Sequence, residues 1–156
     1  FEDLKCLNGG NCKVRRVELK RSKPIMGPLS DIMGPSHLEL IQNFEIEAHK
    51  TLEGRWWGDP GFIHLCFDIR NMEKIREEAK ALGHDFVCDS GDNFDMGNAN
   101  GRFTYVEDPD GALIEFVETF KIPLFKGIGL SLKKRDDYKP LPRWITKAFR
   151  FTREVF

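Results

Sequence analysis

The chain has 156 residues, 40% of them hydrophobic and 31% charged, a composition that predicts a packed globular core and excludes general disorder. The formal net charge is -1 at pH 7, which argues against a nucleic-acid-binding protein, because phosphate neutralisation requires a basic surplus. No apolar run approaches the roughly 18 residues that a membrane-spanning helix requires, so the sequence predicts no transmembrane segment.

The first 45 residues predict an incomplete βαβββ module. Its predicted elements are, in chain order, the end of a helix that stops at Gly9, a strand over residues 12–20, a loop rich in Pro and Gly over residues 22–36, and a strand over residues 37–41. A linker follows over residues 46–61. Because a complete module begins with a strand, we expect the first strand of this module to precede Phe1.

Residues 62–120 predict a complete second βαβββ module. Asn71 stands at the N-cap position of its helix and Gly83 at the stop. The Asp108-Pro109-Asp110-Gly111 segment has Pro and Gly where a type I turn prefers them. The predicted elements are, in order, a strand over 62–67, the helix, a strand over 84–88, a loop over 91–100, and strands over 102–106 and 113–117.

The two modules have the pattern of an internal repeat. Gly83 lies 32 residues before Glu115, and Gly9 lies 30 residues before Glu39. His64 lies 51 residues before Glu115. If the same distance holds before Glu39, the counterpart of His64 lies about 12 residues before Phe1. We therefore expect the missing first strand to carry the equivalent of His64.

Residues 121–156 form a basic C-terminal extension in this interpretation, with ten Lys and Arg against three Asp and Glu. Within it, Trp144, Ile145, Ala148 and Phe149 have the spacing of one apolar helical face. We expect this helix to pack on the body of the protein or on a second subunit. Contact with a membrane surface or a polyanion is the alternative.

Three polar residues interrupt apolar strand faces. Strand alternation puts His64 on the same face as Phe62 and Cys66, and Glu115 lies between inward-facing apolar residues; Glu39 repeats that arrangement. An inward imidazole or carboxylate costs desolvation energy unless it is paired or binds a metal. A hydrogen-bonded core histidine and solvent-facing glutamates are the alternatives. For Cys66, a small buried apolar residue is the preferred interpretation.

Several segments carry a resemblance to a known family. Residues 61–67 (GFIHLCF), the helix end at 81–83 (ALG) and residues 101–116 (GRFTYVEDPDGALIEF) resemble the second module of the vicinal oxygen chelate superfamily. This superfamily contains glyoxalases, bleomycin-resistance proteins and extradiol dioxygenases. The resemblance implies an α+β fold in which paired βαβββ modules form an incomplete barrel around a metal site.

The same resemblance implies the ligands of that metal. His64 and Glu115 correspond to the ligands of the second module, and Glu39 to the last-strand ligand of the first. The fourth ligand belongs to the strand expected before Phe1. His37 lies two residues from Glu39 on the same strand face and is a substitute candidate. Zinc or nickel is the expected ion, with manganese or iron as alternatives.

The carboxylate at Glu39 favours the lactoylglutathione lyase pattern, since the superfamily's dioxygenases leave that position unused. The resemblance then implies a metal-dependent isomerisation by proton transfer through an enediolate, with Glu115 or Glu39 as the catalytic base. The alternatives are a metal-free binding or sequestration protein of the bleomycin-resistance type and an extradiol dioxygenase. The expected partner is a small carbonyl compound or a thiol conjugate, bound by a homodimer.

Three further side chains are candidates for substrate contact. Arg55 and Trp57 lie in the connection between modules, and Arg102 lies on a predicted strand. An indole ring packs on apolar substrate groups, and a guanidinium binds carboxylates. A core-edge position for Trp57 and a solvated strand face for Arg102 are the alternatives.

The four cysteines show neither C-x-x-C spacing nor the density of a disulfide scaffold. This usage favours a reducing compartment. The start of the chain also lacks the pattern of a signal peptide. We therefore expect a cytoplasmic protein.

Overall fold

The structure, a computed structural model, describes residues 5–27, 29–91, 94–96, 99–125, 130–133 and 139–148. The chain divides into two compact units, unit 1 (residues 1–48 and 136–156) and unit 2 (residues 49–135). Its elements are, in chain order, β1 (Val14–Lys20), β2 (His37–Asn43), β3 (His64–Asp68), α1 (Met72–Ala81), β4 (Cys88–Asp89), β5 (Phe94–Met96), β6 (Ala99–Glu107), β7 (Leu113–Phe125), β8 (Leu130–Lys133) and α2 (Arg143–Ala148). This mixture of strands and helices confirms the predicted α+β class.

Unit 1 contains an antiparallel pair of strands. β1 and β2 pair with Val14 opposite Asn43 and Lys20 opposite His37, so both strands predicted for this region are present. The predicted helix end before them is different: residues 5–12 form successive turns, and Gly9 has a φ of 82°. The turns follow from Asn8-Gly9-Gly10, since these residue types favour turns over a helix. Residues 1–4 of that prediction lie outside the described residues.

The helices are short. α1 has ten residues and α2 has six, and neither is long and apolar enough to cross a bilayer in the described part of the chain. In unit 1, α2 covers part of the helical face predicted for the C-terminal extension. Trp144 of that face is 69% exposed, whereas Leu141 before the helix is buried; Phe149 lies outside the described residues.

Unit 2 is built around one sheet with the strand order β3-β7-β6-β4. β3 runs parallel to β7, and the other pairs are antiparallel. The chain order β3-α1-β4-β6-β7 is the βαβββ order predicted for residues 62–120. β5 pairs with the start of β6, so part of the segment that we predicted as a loop over 91–100 is a short hairpin.

Capping interactions fix both ends of α1. The Asn71 side chain accepts a hydrogen bond from the Lys74 backbone N–H at 3.2 Å, and Gly83 follows the helix with a φ of 84°. The carboxylate of Glu118 on β7 accepts from the backbone N–H groups of Asn71 and Met72 at 2.9 and 3.0 Å. The helix start and stop predicted from sequence are confirmed, and Glu118 joins the start to the sheet.

The turn between β6 and β7 also has the predicted position. The Gly111 N–H donates to the Asp108 carbonyl at 3.0 Å, and Gly111 has a φ of 78°. The Asp108 carboxylate accepts from the N–H groups of Asp110 and Ala112 at 2.9 and 2.8 Å. These bonds fix the register in which β6 and β7 pair.

The sheet extends beyond the boundary that the sequence predicted for the second module. β7 continues to Phe125 and pairs with β8. Residues 121–125 and 130–133 are thus strands of unit 2, although we assigned them to the basic extension. Residues 49–61 of the predicted linker also belong to unit 2. Residues 120–125 (FKIPLF) are themselves mostly apolar, a composition that favours a strand.

Side chains of β6 and β7 alternate between two faces of this sheet. The helix face carries the most buried residues of the unit together with α1: Met72, Arg102, Thr104, Val106 and Glu118. The cavity face carries Phe103, Tyr105, Leu113, Glu115 and Val117. The candidate site lies on the cavity face.

Candidate functional site

Two of the predicted ligands lie in contact on the cavity face. β3 and β7 are parallel neighbours, with His64 beside Leu113 and Cys66 beside Glu115. The His64 Nε2 atom is 3.1 Å from Glu115 Oε2. Their side chains are 27% and 15% exposed, so the pair is largely removed from water. The structure thus brings His64 and Glu115 together.

The second ring nitrogen of His64 has no such contact. His64 Nδ1 is buried and has no hydrogen-bond partner in the described part of the chain. A buried polar atom without a partner costs about 1–3 kcal/mol, and native structures contain few of them. This arrangement favours a functional role for the imidazole over the alternative of a hydrogen-bonded core histidine.

Two further side chains donate to the Glu115 carboxylate. Burial, together with a hydrogen bond to Glu115, raises the pKa of the Tyr105 hydroxyl to about 12. Partial desolvation and a hydrogen bond to the same carboxylate raise the pKa of the Cys66 thiol to about 11. Both groups are protonated at neutral pH and act as donors. Cys66 and Tyr105 therefore interact with the same carboxylate that His64 contacts.

Sequence reasoning missed Tyr105. Tyr105 lies directly opposite Glu115 in the β6–β7 register, and its ring contacts the His64 ring edge-on at 5.4 Å between centroids. The signal was present in the turn at Asp108–Gly111, because counting outward from a turn gives the opposing residues of a hairpin.

A cavity of about 580 Å³ opens on the cavity face. Its lining is mainly apolar and aromatic, and includes Trp57, Phe94, Phe103, Tyr105, Leu113 and Val117. The Phe94 and Phe103 rings meet edge-to-face with centroids 4.7 Å apart. Trp57, which we predicted as a substrate contact, lines this cavity and is 66% exposed. Glu115 is also part of the lining.

The structure does not bring Arg102 to this cavity. Arg102 lies on the helix face, where its guanidinium donates to the Asp89 carboxylate at 2.8 and 3.0 Å and also to Glu73. The hydrogen bond from Arg102 holds the pKa of Asp89 well below its usual range, and the bond to Asp89 raises the pKa of Arg102. These contacts link α1 to β4 and β6, which is a structural role.

Arg55 is occupied by its own loop. Its guanidinium donates to the Pro60 carbonyl at 2.6 Å and to the Thr51 carbonyl at 3.5 Å. A side chain at Gly61 would collide with this guanidinium, since a Cβ there would lie 2.8 Å from Arg55 Nη2. Arg55 thus closes the loop that carries Trp57.

Glu39 lies in unit 1 on β2, opposite Glu18 of β1. Both of its carboxylate oxygens contact the Arg16 guanidinium at 2.7 Å. The hydrogen bond from Arg16 lowers the pKa of Glu39. The metal-binding role of Glu39 stays a prediction, as does that of His37 at the start of the same strand.

The donor pair in unit 2 suits a metal ion. The His64 Nε2 and Glu115 Oε2 atoms are 3.1 Å apart, close enough for one ion to contact both. Imidazole nitrogen and carboxylate oxygen are donors that zinc, nickel, manganese and iron accept. Within the described ranges, no group of three or more His, Cys, Asp or Glu side chains is placed to hold a metal. Unit 2 therefore offers two adjacent donor groups, and their role as metal ligands stays a prediction.

No family model matches the chain, and no curated protein matches it. Among solved structures, the chain is similar to the glyoxalase family protein from Enterococcus faecalis, with 21% identity over 55% of this chain and a TM-score of 0.40. It is also similar to SMU.1112c, with 21% identity over 75% of this chain and 87% of that chain and a TM-score of 0.44. The chain spans 62% of the length of the Enterococcus faecalis protein.

Proposed function

We propose that this chain is a metal-dependent enzyme of the glyoxalase type, which isomerises a small carbonyl compound or a thiol conjugate in the manner of a lactoylglutathione lyase. The observation that carries the proposal is the contact between His64 and Glu115 at 3.1 Å on the face of an apolar cavity. The unpartnered Nδ1 atom of His64 supports a functional role for the pair.

Glu115 is the proposed base. Its carboxylate faces the cavity, where it takes a proton from a carbon beside the substrate carbonyl and returns the proton to the neighbouring carbon. The interactions of Tyr105 and Cys66 with Glu115 would orient the carboxylate. Positioning of this kind lowers the barrier because the reacting groups start close together.

His64 and Glu115 would hold the divalent ion in adjacent positions, and the role of Glu39 as a ligand or as the alternative base stays a prediction. When bound, a zinc or nickel ion would polarise the substrate carbonyl and stabilise the negative charge that forms there. Manganese and iron remain alternatives under this proposal. The apolar lining of the cavity would pack against the nonpolar part of the substrate.

Metal analysis of the purified full-length protein tests the site. We expect a stoichiometric divalent metal in the wild type and its loss from His64→Ala and Glu115→Gln. His84→Ala and Glu77→Gln are matched controls, because both residues are exposed, and they should keep the metal. A wild type that stays metal-free after supplementation contradicts the proposal, as do His64 or Glu115 variants that retain the metal.

Deuterium exchange tests the chemistry. Thiol adducts of methylglyoxal, incubated with the enzyme in D₂O and followed by NMR, should incorporate deuterium at the carbon beside the carbonyl. Glu115→Gln should lower this rate by about 10²-fold or more, the usual contribution of a general base. If Glu39→Gln lowers the exchange rate by this factor and Glu115→Gln does not, the base is Glu39 of unit 1.

A metal-free binding protein is the second candidate function. The aromatic lining of the cavity favours it, because rings bury a large apolar area against a ligand. In that case His64→Ala and Glu115→Gln would bind small apolar ligands as tightly as the wild type, and no proton exchange would be detected. The metal analysis and the exchange assay together separate the two functions.

A further inference from the structure

The charge distribution of the cavity restricts its ligand. Glu115 is the one charged side chain among the described residues that line it. Arg102 and Arg76 of the same unit lie elsewhere and bind Asp89. An anionic group at the aromatic end of the cavity would therefore lose its hydration without meeting a cation among the described lining residues.

Aromatic rings continue from the cavity to the proposed reaction centre. Phe94 and Phe103 are 4.7 Å apart between centroids, Phe103 and Tyr105 are 5.7 Å apart, and Tyr105 and His64 are 5.4 Å apart. All three contacts are edge-to-face, the geometry that aromatic pairs prefer. A planar ring placed against this surface would extend the same packing.

The size of the cavity agrees with this type of ligand. A volume of about 580 Å³ lies within the range of cavities that hold small organic molecules. Trp57 adds a partly exposed indole to the lining, and such a ring can cover a flat ligand from the solvent side. The carboxylate of Glu115 lies on the same surface and, as a hydrogen-bond acceptor, favours a ligand that ends in a donor such as a hydroxyl group.

From this lining we infer that the substrate carries an uncharged aromatic group, which binds in the cavity with its carbonyl end at His64 and Glu115. The assignment of the carbonyl end rests on the proposed function. The preference for an uncharged ring rests on the lining alone, so the two can be tested separately.

Equilibrium binding tests the preference. The probes are 2-hydroxyacetophenone, which is neutral and aromatic, its 4-carboxy derivative, and hydroxyacetone, all measured calorimetrically with the full-length protein. We expect the neutral aromatic probe to bind at least about tenfold more tightly than either comparator, since ring burial and edge-to-face contacts contribute together. Equal or tighter binding of the carboxylate or of hydroxyacetone overturns the inference.

Neighbouring tryptophans give a matched pair of variants. Trp57 lines the cavity and Trp56 does not belong to its lining, although both are exposed. Trp57→Ala should weaken binding of 2-hydroxyacetophenone about three- to tenfold, and Trp56→Ala should leave it within about twofold. An equal effect of both variants, or no effect of Trp57→Ala, contradicts the proposed position of the ring.

The reaction is measured separately from binding. In D₂O, NMR reports exchange of the carbon-bound protons beside the carbonyl of 2-hydroxyacetophenone and of hydroxyacetone. If the proposed function fails, neither compound exchanges, yet the preference for the aromatic probe persists in the calorimeter. If the aromatic preference fails and the proposed function holds, hydroxyacetone binds as tightly as the aromatic probe. Its protons then also exchange as fast as those of the aromatic probe.

Discussion

The helix face and the cavity face of unit 2 are made by the same two strands, β6 and β7. They differ in whether their buried polar groups have hydrogen-bond partners. On the helix face, Arg102 is 8% exposed and binds Asp89 and Glu73. On the cavity face, polar groups converge on Glu115, and His64 keeps a buried nitrogen without a partner. Polar groups satisfied within the fold stabilise it, whereas a buried polar atom without a partner costs stability.

Buried polar groups on the helix face have hydrogen-bond partners within the fold. Glu118 is 5% exposed and accepts from two backbone N–H groups at the start of α1. Thr104 is fully buried, and its hydroxyl donates to the Cys88 carbonyl. These contacts connect α1, β4, β6 and β7. Substitution of Arg102 on the helix face and of His64 on the cavity face should therefore change stability in opposite directions.

The largest effect is expected for Arg102→Met. This change keeps the aliphatic stem but removes the charged hydrogen bonds of Arg102 with Asp89 and Glu73, which then keep only Arg76. We expect a loss of about 2 kcal/mol in the free energy of unfolding, measured by urea denaturation. Arg16→Met is the control, because Arg16 also binds a carboxylate but has a side chain that is 47% exposed; its midpoint should not shift measurably. Equal effects of the two variants would remove the structural role assigned to Arg102.

Local signals account for the parts of the fold that the sequence predicted. Asn71, Gly83 and the Asp108–Gly111 turn act within a few residues of themselves, through a side-chain cap or a backbone that needs a positive φ. Alternation within β3 and β7 likewise places His64 and Glu115 on one face. Each of these predictions depends on contacts between neighbours in sequence or on a fixed period.

Features that depend on distant partners were not predicted. Arg102 binds residues 13 and 29 positions away in sequence, so its face and its role follow from the packing of α1 on the sheet. β5 is a three-residue strand that exists because it pairs with β6. The end of β7 is set by pairing with β8, beyond the last residue that alternation indicated. The position of Arg102, the strand β5 and the end of β7 therefore all depend on tertiary contacts.

His64→Leu should have a smaller effect of the opposite sign. The variant replaces an imidazole that has one unpartnered buried nitrogen by an apolar side chain of similar size, so we expect a gain of about 1 kcal/mol in the free energy of unfolding. The measurement is made in the presence of a chelator, because a bound metal would stabilise the wild type selectively. His84→Leu, at an exposed position, should change little. Destabilisation of His64→Leu by more than the control would mean that the imidazole is a structural group after all.

The smallest effect is expected for Tyr105→Phe, which tests the hydrogen bond to Glu115 through its pH dependence. Burial and this bond raise the pKa of Tyr105 to about 12, against about 10 for an unfolded tyrosine. The unfolded chain therefore loses this proton first, so the stability that the protonated hydroxyl contributes is complete below pH 10 and is lost as the pH rises towards 12. Absorbance at 295 nm should show one of the two tyrosines ionising near pH 12 in the wild type and not in Tyr105→Phe. Tyr138→Phe is the control and should keep that high transition; if it removes the transition instead, Glu115 lacks this donor and the cavity face loses one of its three contacts.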